Sequence, residues 1–119
     1  MKVLIVDDNQ QVLNALERFL RSNFEMSTII SVQDVSSALE YCEQIDFDIC
    51  LIDYRLNDND GLTLSFKIRQ MLPKTALVII SGFEEPAGLL EKPFDAWINK
   101  TEGNKKLLDF IKNIHLQKI

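Results

Sequence analysis

The sequence predicts a single α/β domain, a doubly wound sheet of five parallel strands with helices on both faces. Its apolar residues alternate between short continuous runs, which are typical of strands, and stretches with the spacing of an amphipathic helix. Runs that are almost entirely apolar belong to strands covered on both faces, and βα connections of this length make neighbouring strands parallel. For five such strands the common order is 2-1-3-4-5, in which ligands lie beyond the carboxyl ends of the strands.

Five apolar runs are the predicted strands, because each has the length of a strand and is rich in β-branched residues. In chain order they are Val3–Val6, Ser27–Val32, Ile49–Ile52, Ala76–Ile80 and Ala96–Ile98. The residues at the carboxyl ends of these runs therefore mark one edge of the predicted sheet.

Four further stretches repeat apolar residues every three or four positions, as one face of a helix does. Their apolar sets are Val12, Leu16, Phe19 and Leu20; Ala38, Leu39 and Cys42; Leu64, Ile68 and Met71; and Leu107, Leu108, Ile111 and Ile114. Between the fourth and fifth runs, two glycines and two prolines disfavour a regular helix. We expect only a short or irregular helix there, with Pro86 in its first turn.

The composition, with 46% hydrophobic and 26% charged residues, predicts one soluble domain over residues 1–119. The net charge of −5 argues against direct nucleic-acid binding by this domain. The first apolar run is too short for a signal peptide or a membrane span, so we expect a cytoplasmic protein without membrane association. Cys42 and Cys50 lack a CxxC motif and a neighbouring histidine, and are predicted to be reduced thiols.

Chemically active side chains stand at the carboxyl ends of four predicted strands. Asp7 and Asp8 follow the first strand, Asp53 the third, Ser81 the fourth and Lys100 the fifth. The second strand is an edge in the predicted order, so these four ends are contiguous on one rim. Taken singly, an aspartate or a serine here could simply cap a helix or start a turn.

Together, these side chains favour a phosphoryl-transfer site with an aspartate nucleophile. Three crowded carboxylates repel one another unless a cation or raised pKa values offset their charge. Oxygen ligands without a nearby histidine or cysteine suit a hard ion, above all Mg²⁺, which leaves room for a phosphoryl group. A lysine and a hydroxyl opposite the metal would contact the phosphoryl oxygens.

These residues carry a resemblance to a known family. Over essentially its whole length the chain resembles the receiver domain of two-component response regulators, a flavodoxin-like architecture. The matching segments are Val3-Leu4-Ile5-Val6-Asp7-Asp8-Asn9, Leu51-Ile52-Asp53-Tyr54-Arg55-Leu56 with Asp60-Gly61-Leu62, Val78-Ile79-Ile80-Ser81-Gly82, and Trp97-Ile98-Asn99-Lys100.

The resemblance implies a role for each matching side chain. Asp53 would be the phospho-acceptor, and Lys100 would contact the phosphoryl group. The other implied roles are Mg²⁺ ligands (Asp7, Asp8, Asp53 and the backbone carbonyl of Arg55), a switch hydroxyl (Ser81), a switch aromatic (Trp97) and side chains that modulate hydrolysis (Arg55 and Phe83). For Trp97, ordinary core packing is the alternative role.

The sequence departs from the family pattern after the lysine, where Thr101 replaces a common cis proline. We expect a trans bond between Lys100 and Thr101, because a cis bond to a non-proline residue costs roughly 3 kcal/mol. A second lysine, Lys92, precedes a Pro-Phe pair as in the family, but no apolar strand leads into it. Lys100 is therefore the predicted site lysine.

Two alternative functions follow from the same residues. A haloacid-dehalogenase-like phosphatase also has an aspartate after its first strand, but it needs a carboxylate two residues later, where this chain has Asn9. A degenerate receiver would act as an unphosphorylated interaction module, although the complete set of acids, Ser81 and Lys100 argues against it.

The expected function is a phosphorylation-dependent signalling switch that catalyses only its own phosphorylation and dephosphorylation. A sensor histidine kinase or phosphotransfer protein would donate the phosphoryl group with Mg²⁺ as cofactor. The signal would then alter an output surface made by the short helix expected between the fourth and fifth strands, the fifth strand and the last helix, and could drive a phosphorylation-dependent homodimer. The sequence identifies neither the kinase nor the output, which could belong to a free-standing receiver or to a longer regulator.

Overall fold

The computed structural model describes residues 1–57 and 59–117 and contains one five-stranded sheet. All of its strand pairs are parallel, and the order is 2-1-3-4-5, so the predicted fold class is confirmed. The strands are β1 (Lys2–Val6), β2 (Thr28–Val32), β3 (Ile49–Asp53), β4 (Ala76–Ser81) and β5 (Ala96–Asn99).

In the part of the chain that the structure describes, four α-helices accompany the sheet: α1 (Gln10–Asn23), α2 (Val35–Gln44), α3 (Gly61–Met71) and α4 (Lys105–Gln117). The first three begin where a polar side chain accepts hydrogen bonds from backbone N–H groups of the first turn. These N-cap residues are Asn9, Asp34 and Asp60. Among the described residues, no helix is long and apolar enough to cross a membrane.

The sheet separates two apolar cores. On one face, α2 and α3 pack over the strands through buried residues such as Ala38 and Ile68. On the other face, α1 and α4 contribute Leu20 and Ile111. Each apolar strand therefore has a cover on both sides, as its composition predicts.

The segment that joins β4 to β5 contains no helix, so the predicted short helix with Pro86 in its first turn is wrong. Proline lacks a backbone donor, and Gly88 adopts a φ of +78°, which a helix does not contain. We refer to residues 82–95 as the β4–β5 loop. The expected output surface therefore presents this loop, rather than a helix, beside β5 and α4.

Side chains from outside the β4–β5 loop hold its end in place. The Arg69 guanidinium of α3 donates to the carbonyl of Pro93 at 2.9 Å and pairs with the Asp95 carboxylate at 2.9 Å. Phe94 is buried in the same core as α2 and α3. These contacts cover the sheet where a helix is missing.

Candidate functional site

Three aspartates converge at the carboxyl ends of β1 and β3. Asp7 and Asp8 follow β1, and Asp53 is the last residue of β3, which pairs directly with β1. One carboxylate oxygen of each aspartate lies within 4.8 Å of the other two. This oxygen-only set fits a hard divalent cation such as Mg²⁺. The predicted gathering of the three acids is therefore present in the structure.

Burial and mutual repulsion act on the two inner carboxyls. Asp7 is 4% and Asp53 9% exposed, and this desolvation raises the pKa of both side chains above its ordinary value. A hydrogen bond from the backbone N–H of Asn9 to Asp7, at 2.9 Å, acts in the opposite direction on the Asp7 pKa. The carboxylates thus favour a nearby positive charge.

Lys100 supplies one such charge from the end of β5. Its Nζ lies 3.2 Å from Oδ1 of Asp53, and this ion pair opposes the rise in the Asp53 pKa. The bond between Lys100 and Thr101 is trans, as expected. Lys92 instead pairs with Glu85 in the β4–β5 loop. Of the two lysines considered for the site, Lys92 and Lys100, Lys100 is the one beside the aspartates.

Ser81 ends β4 and is buried, one residue beyond the position that pairs with Asp53. Its hydroxyl oxygen accepts a hydrogen bond from the backbone N–H of Phe83 at 3.0 Å. The Ser81 side chain is therefore bonded to the start of the β4–β5 loop, so that any new partner for this hydroxyl would change a contact of that loop.

Arg55 and Phe83 contact each other across the site. The Arg55 guanidinium carbon lies 4.3 Å from the centroid of the Phe83 ring, a cation–π distance. Arg55 belongs to the β3–α3 connection and Phe83 to the β4–β5 loop. The two loops that follow Asp53 and Ser81 are thus joined by this stacked pair.

Trp97 is buried and bonded to the same loop. Its indole N–H donates to the carbonyl of Phe83 at 2.9 Å, and its ring packs 5.2 Å from Tyr54 and 5.6 Å from Phe94. The ring fills the core on the α2–α3 face, while the indole N–H tethers the loop. Core packing and contact with the proposed switch region therefore coexist in this residue.

Gly61 lets α3 begin directly against β3. A Cβ atom at this position would lie 2.4 Å from the backbone carbonyl oxygen of Asp53, closer than atoms can approach. The Gly61 N–H donates to the carbonyl of Tyr54 at 2.6 Å. Close approach, rather than an unusual φ, is the reason for glycine here.

An apolar cavity of about 240 Å³ opens beneath the acidic group, between α1 and α4. Asp7, Asp53 and Lys100 stand at its polar end, and its apolar walls include Leu16 and Phe19 of α1. These α1 side chains are only half-buried, whereas Leu13, which the helical spacing did not single out, is fully buried. The low polarity of this cavity adds to the desolvation of the two inner carboxyls.

Asn9 and Asn99 also have defined parts in the site. Asn9, at the position where a haloacid-dehalogenase-like phosphatase needs its second carboxylate, accepts hydrogen bonds from the backbone N–H groups of Gln11 and Val12. The Asn99 side-chain amide donates a hydrogen bond to the Glu84 carboxylate at 3.2 Å. The sequence predicted no role for either residue, and the one feature that could have indicated a role for Asn99 is its position directly before Lys100.

Comparison with known proteins gives the same family. Residues 3–112 match the family model of the response regulator receiver domain. The response regulator protein VraR of Staphylococcus aureus is 24% identical over 115 residues, which are 94% of this chain and 55% of VraR. The chain therefore spans about half the length of the curated relatives it matches.

Solved structures share the fold. A two-component response regulator from Clostridium difficile is 22% identical, with a TM-score of 0.87, over 99% of this chain and 98% of that one. TrrA of Thermotoga maritima, solved in complex with Mg²⁺-BeF, is 19% identical with a TM-score of 0.84, over 96% of this chain and 99% of that one. With the family model covering nearly the whole sequence, the chain belongs to the receiver domain family of two-component response regulators.

Proposed function

We propose that this chain is a phosphorylation-dependent signalling switch whose acceptor is Asp53. The observation that carries the proposal is the position of the Asp53 carboxylate, which lies within 4.8 Å of carboxylate oxygens of Asp7 and Asp8 and 3.2 Å from the Lys100 ammonium. A receiver domain is not a classical enzyme, and the chemistry proposed here is its own modification.

In the proposed reaction, a carboxylate oxygen of Asp53 attacks the phosphorus of a phosphodonor in line with the leaving group. The new bond joins this oxygen to phosphorus, the bond from phosphorus to the donor breaks, and the donor leaves with its electron pair. Lys100 stabilises the negative charge of the phosphoryl oxygens. Hydrolysis of the resulting acyl phosphate returns the Asp53 carboxylate and inorganic phosphate.

We assign the Mg²⁺ site to Asp7, Asp8 and Asp53, with the backbone carbonyl of Arg55 as a further ligand. Their carboxylate oxygens are close enough to share one ion, and TrrA was solved with Mg²⁺-BeF. When bound, Mg²⁺ neutralises charge on the carboxylates and on the phosphoryl oxygens. Asp7 keeps its orientation through its bond from the N–H of Asn9.

The proposed output begins at Ser81. A phosphoryl group on Asp53 would attract the Ser81 hydroxyl, which would then give up its bond from the Phe83 N–H. Because Trp97 is tethered to the same loop, the change would reach the surface of the β4–β5 loop, β5 and α4. We propose a sensor histidine kinase or phosphotransfer protein as donor, in the cytoplasm, and a second phosphorylated copy as one output partner.

A mass measurement tests the acceptor. Incubation with acetyl phosphate and Mg²⁺ should add one phosphoryl group to the wild type and none to Asp53→Asn. Excess chelator should prevent the gain. An equal gain in Asp53→Asn would refute the acceptor assignment. A wild type that gains nothing from acetyl phosphate or from a phosphorylated histidine donor would instead support the degenerate receiver, which acts without phosphorylation.

A further inference from the structure

Asn99 is a buried amide with no part in the phosphoryl-transfer chemistry described above. It is 6% exposed, ends β5, pairs with Ser81 across the sheet and directly precedes Lys100. A buried amide is stable only if its donors and acceptor find partners. The hydrogen-bond partners of the Asn99 side chain lie in two different segments next to Asp53.

The first segment is the turn that carries Lys100. Oδ1 of Asn99 accepts hydrogen bonds from the N–H of Thr101 at 3.0 Å and from the Thr101 hydroxyl at 2.8 Å. The Asn99 N–H in turn donates to Oε1 of Glu102 at 3.2 Å, which completes a capping box around a short 3₁₀ turn at Lys100–Glu102. The Asn99 side chain therefore fixes the backbone from which Lys100 extends.

The second segment is the β4–β5 loop. Nδ2 of Asn99 donates to Oε1 of Glu84 at 3.2 Å, three residues after Ser81. The acceptor is a charged carboxylate, which makes such a bond stronger than a neutral one. One amide group thus joins the loop that follows the proposed switch hydroxyl to the turn that carries the proposed site lysine.

Lys100 depends on its backbone for its position. Its side chain is 43% exposed, and among the described residues it makes a single ion pair, with Asp53. A long lysine side chain has many rotamers, and the position of the turn at its base sets the region that its ammonium can reach.

We infer that Asn99 is a positioning residue for Lys100, and that its bond to Glu84 makes the position of this lysine depend on the conformation of the β4–β5 loop. The inference rests on the proposed function, because it assigns a purpose to the contact between Lys100 and the phosphoryl group. Movement of the loop would change the placement of the ammonium through Glu84 and Asn99.

A double-mutant cycle tests the action through Lys100. The rate of phosphorylation by acetyl phosphate with Mg²⁺ is measured by intact mass for the wild type, Asn99→Ala, Lys100→Ala and the double variant. We expect Asn99→Ala to slow the wild type roughly tenfold, as a displaced catalytic group does. In the Lys100→Ala background the same change should alter the rate less than about twofold. An equal loss in both backgrounds, or no loss in either, would overturn the inference.

A rescue experiment tests the link to the loop. Asn99→Asp keeps an acceptor for Thr101 but places a carboxylate against Glu84, so it should slow phosphorylation. Adding Glu84→Gln supplies an amide donor to that carboxylate and should restore most of the rate. Glu85→Gln is the matched control, because Glu85 pairs with Lys92 instead. A combined Glu84→Gln, Asn99→Asp variant as slow as Asn99→Asp alone would refute the link.

The outcomes separate this inference from the proposed function. If Lys100→Ala is phosphorylated at the wild-type rate, the proposed role of the lysine is wrong, and the inference falls with it. If Lys100→Ala is slow while Asn99→Ala matches the wild type, only the role of Asn99 is refuted. Unfolding midpoints in urea are measured for every variant, and the rescue pair decides the question if Asn99→Ala is too unstable to compare.

Discussion

The substitution Gly61→Ala probes how closely the start of α3 packs on the end of β3. The added Cβ would meet the Asp53 carbonyl oxygen at 2.4 Å and the Cγ2 atom of Ile52 at 3.0 Å. Restoring an ordinary contact requires a separation of about 1 Å between the start of α3 and the end of β3. Overpacking of this kind costs about 1–3 kcal/mol.

Two further terms set the size of the expected effect. The same movement lengthens the hydrogen bond from the Gly61 N–H to the Tyr54 carbonyl, for a loss of about 1 kcal/mol. Replacement of glycine by alanine restricts the unfolded chain and returns about 0.4–1 kcal/mol. We expect Gly61→Ala to lower the free energy of unfolding by about 1–3 kcal/mol. Because Asp53 moves with its carbonyl, the rate of phosphorylation should fall at least about tenfold.

Urea denaturation of Gly61→Ala and Gly82→Ala provides the assay. Gly82 is the matched control, because a Cβ at that position meets nothing within 4 Å and its φ is not positive. Gly82→Ala should therefore leave the free energy of unfolding within about 0.5 kcal/mol of the wild type. If the two variants unfold alike, close approach is not the reason for a glycine at the start of α3.

Three other predictions concern the loop, the acids and the lifetime of the signal. Arg69→Met removes the hydrogen bonds that hold the end of the β4–β5 loop and should lower the free energy of unfolding, measured in urea, by about 2 kcal/mol. The control Lys92→Met breaks only an exposed ion pair and should lower it by less than about 1 kcal/mol. Burial raises the pKa of Asp7 in the folded state, so the wild type loses stability as the pH rises through that pKa. In urea denaturation without Mg²⁺, Asp7→Asn should therefore be more stable than the wild type at pH 7, and this difference should vanish below about pH 4. A wild type that is more stable than Asp7→Asn at pH 7 would contradict the prediction. The double variant Arg55→Asn, Phe83→Ala should lose its phosphoryl group faster than the wild type once the donor is removed. In the wild type the stacked pair hinders the approach of water, and the Phe83 ring has no polar group to orient an attacking water molecule. Equal rates of decay would show that the pair does not protect the acyl phosphate.

The strand order and the convergence of the acids were predictable because both depend on short-range patterns. Continuous apolar runs identify strands, and a parallel sheet places Asp7, Asp53 and Lys100 at the same edge regardless of the conformation of the loops. Which α1 residues are fully buried was less predictable. Helical spacing cannot show that a cavity leaves Leu16 half-buried while Leu13 faces the sheet.

The path of the β4–β5 loop could not be predicted from local sequence. Glycine and proline indicate that a regular helix is disfavoured, but the route is set by Arg69 and Trp97, which lie outside the loop. The role of Asn99 was hidden for a similar reason, because its partner Glu84 is 15 residues away in the chain. Contacts of this kind depend on the assembled fold and leave no periodic signal.

The helix-free loop changes how a partner could recognise this receiver. A helix presents a fixed array of side chains and moves as one unit, whereas this loop offers single side chains such as Leu90, which is fully exposed. Its anchors are a few separate bonds, made by Arg69, Trp97 and Asn99. We therefore expect a partner that docks on the proposed output surface to contact single side chains of this loop, while the bonds from Trp97 and Asn99 tie the loop to β5. Grafting residues 82–95 from a different receiver, with Glu84 and the anchor residues kept, would test whether this loop alone selects the partner.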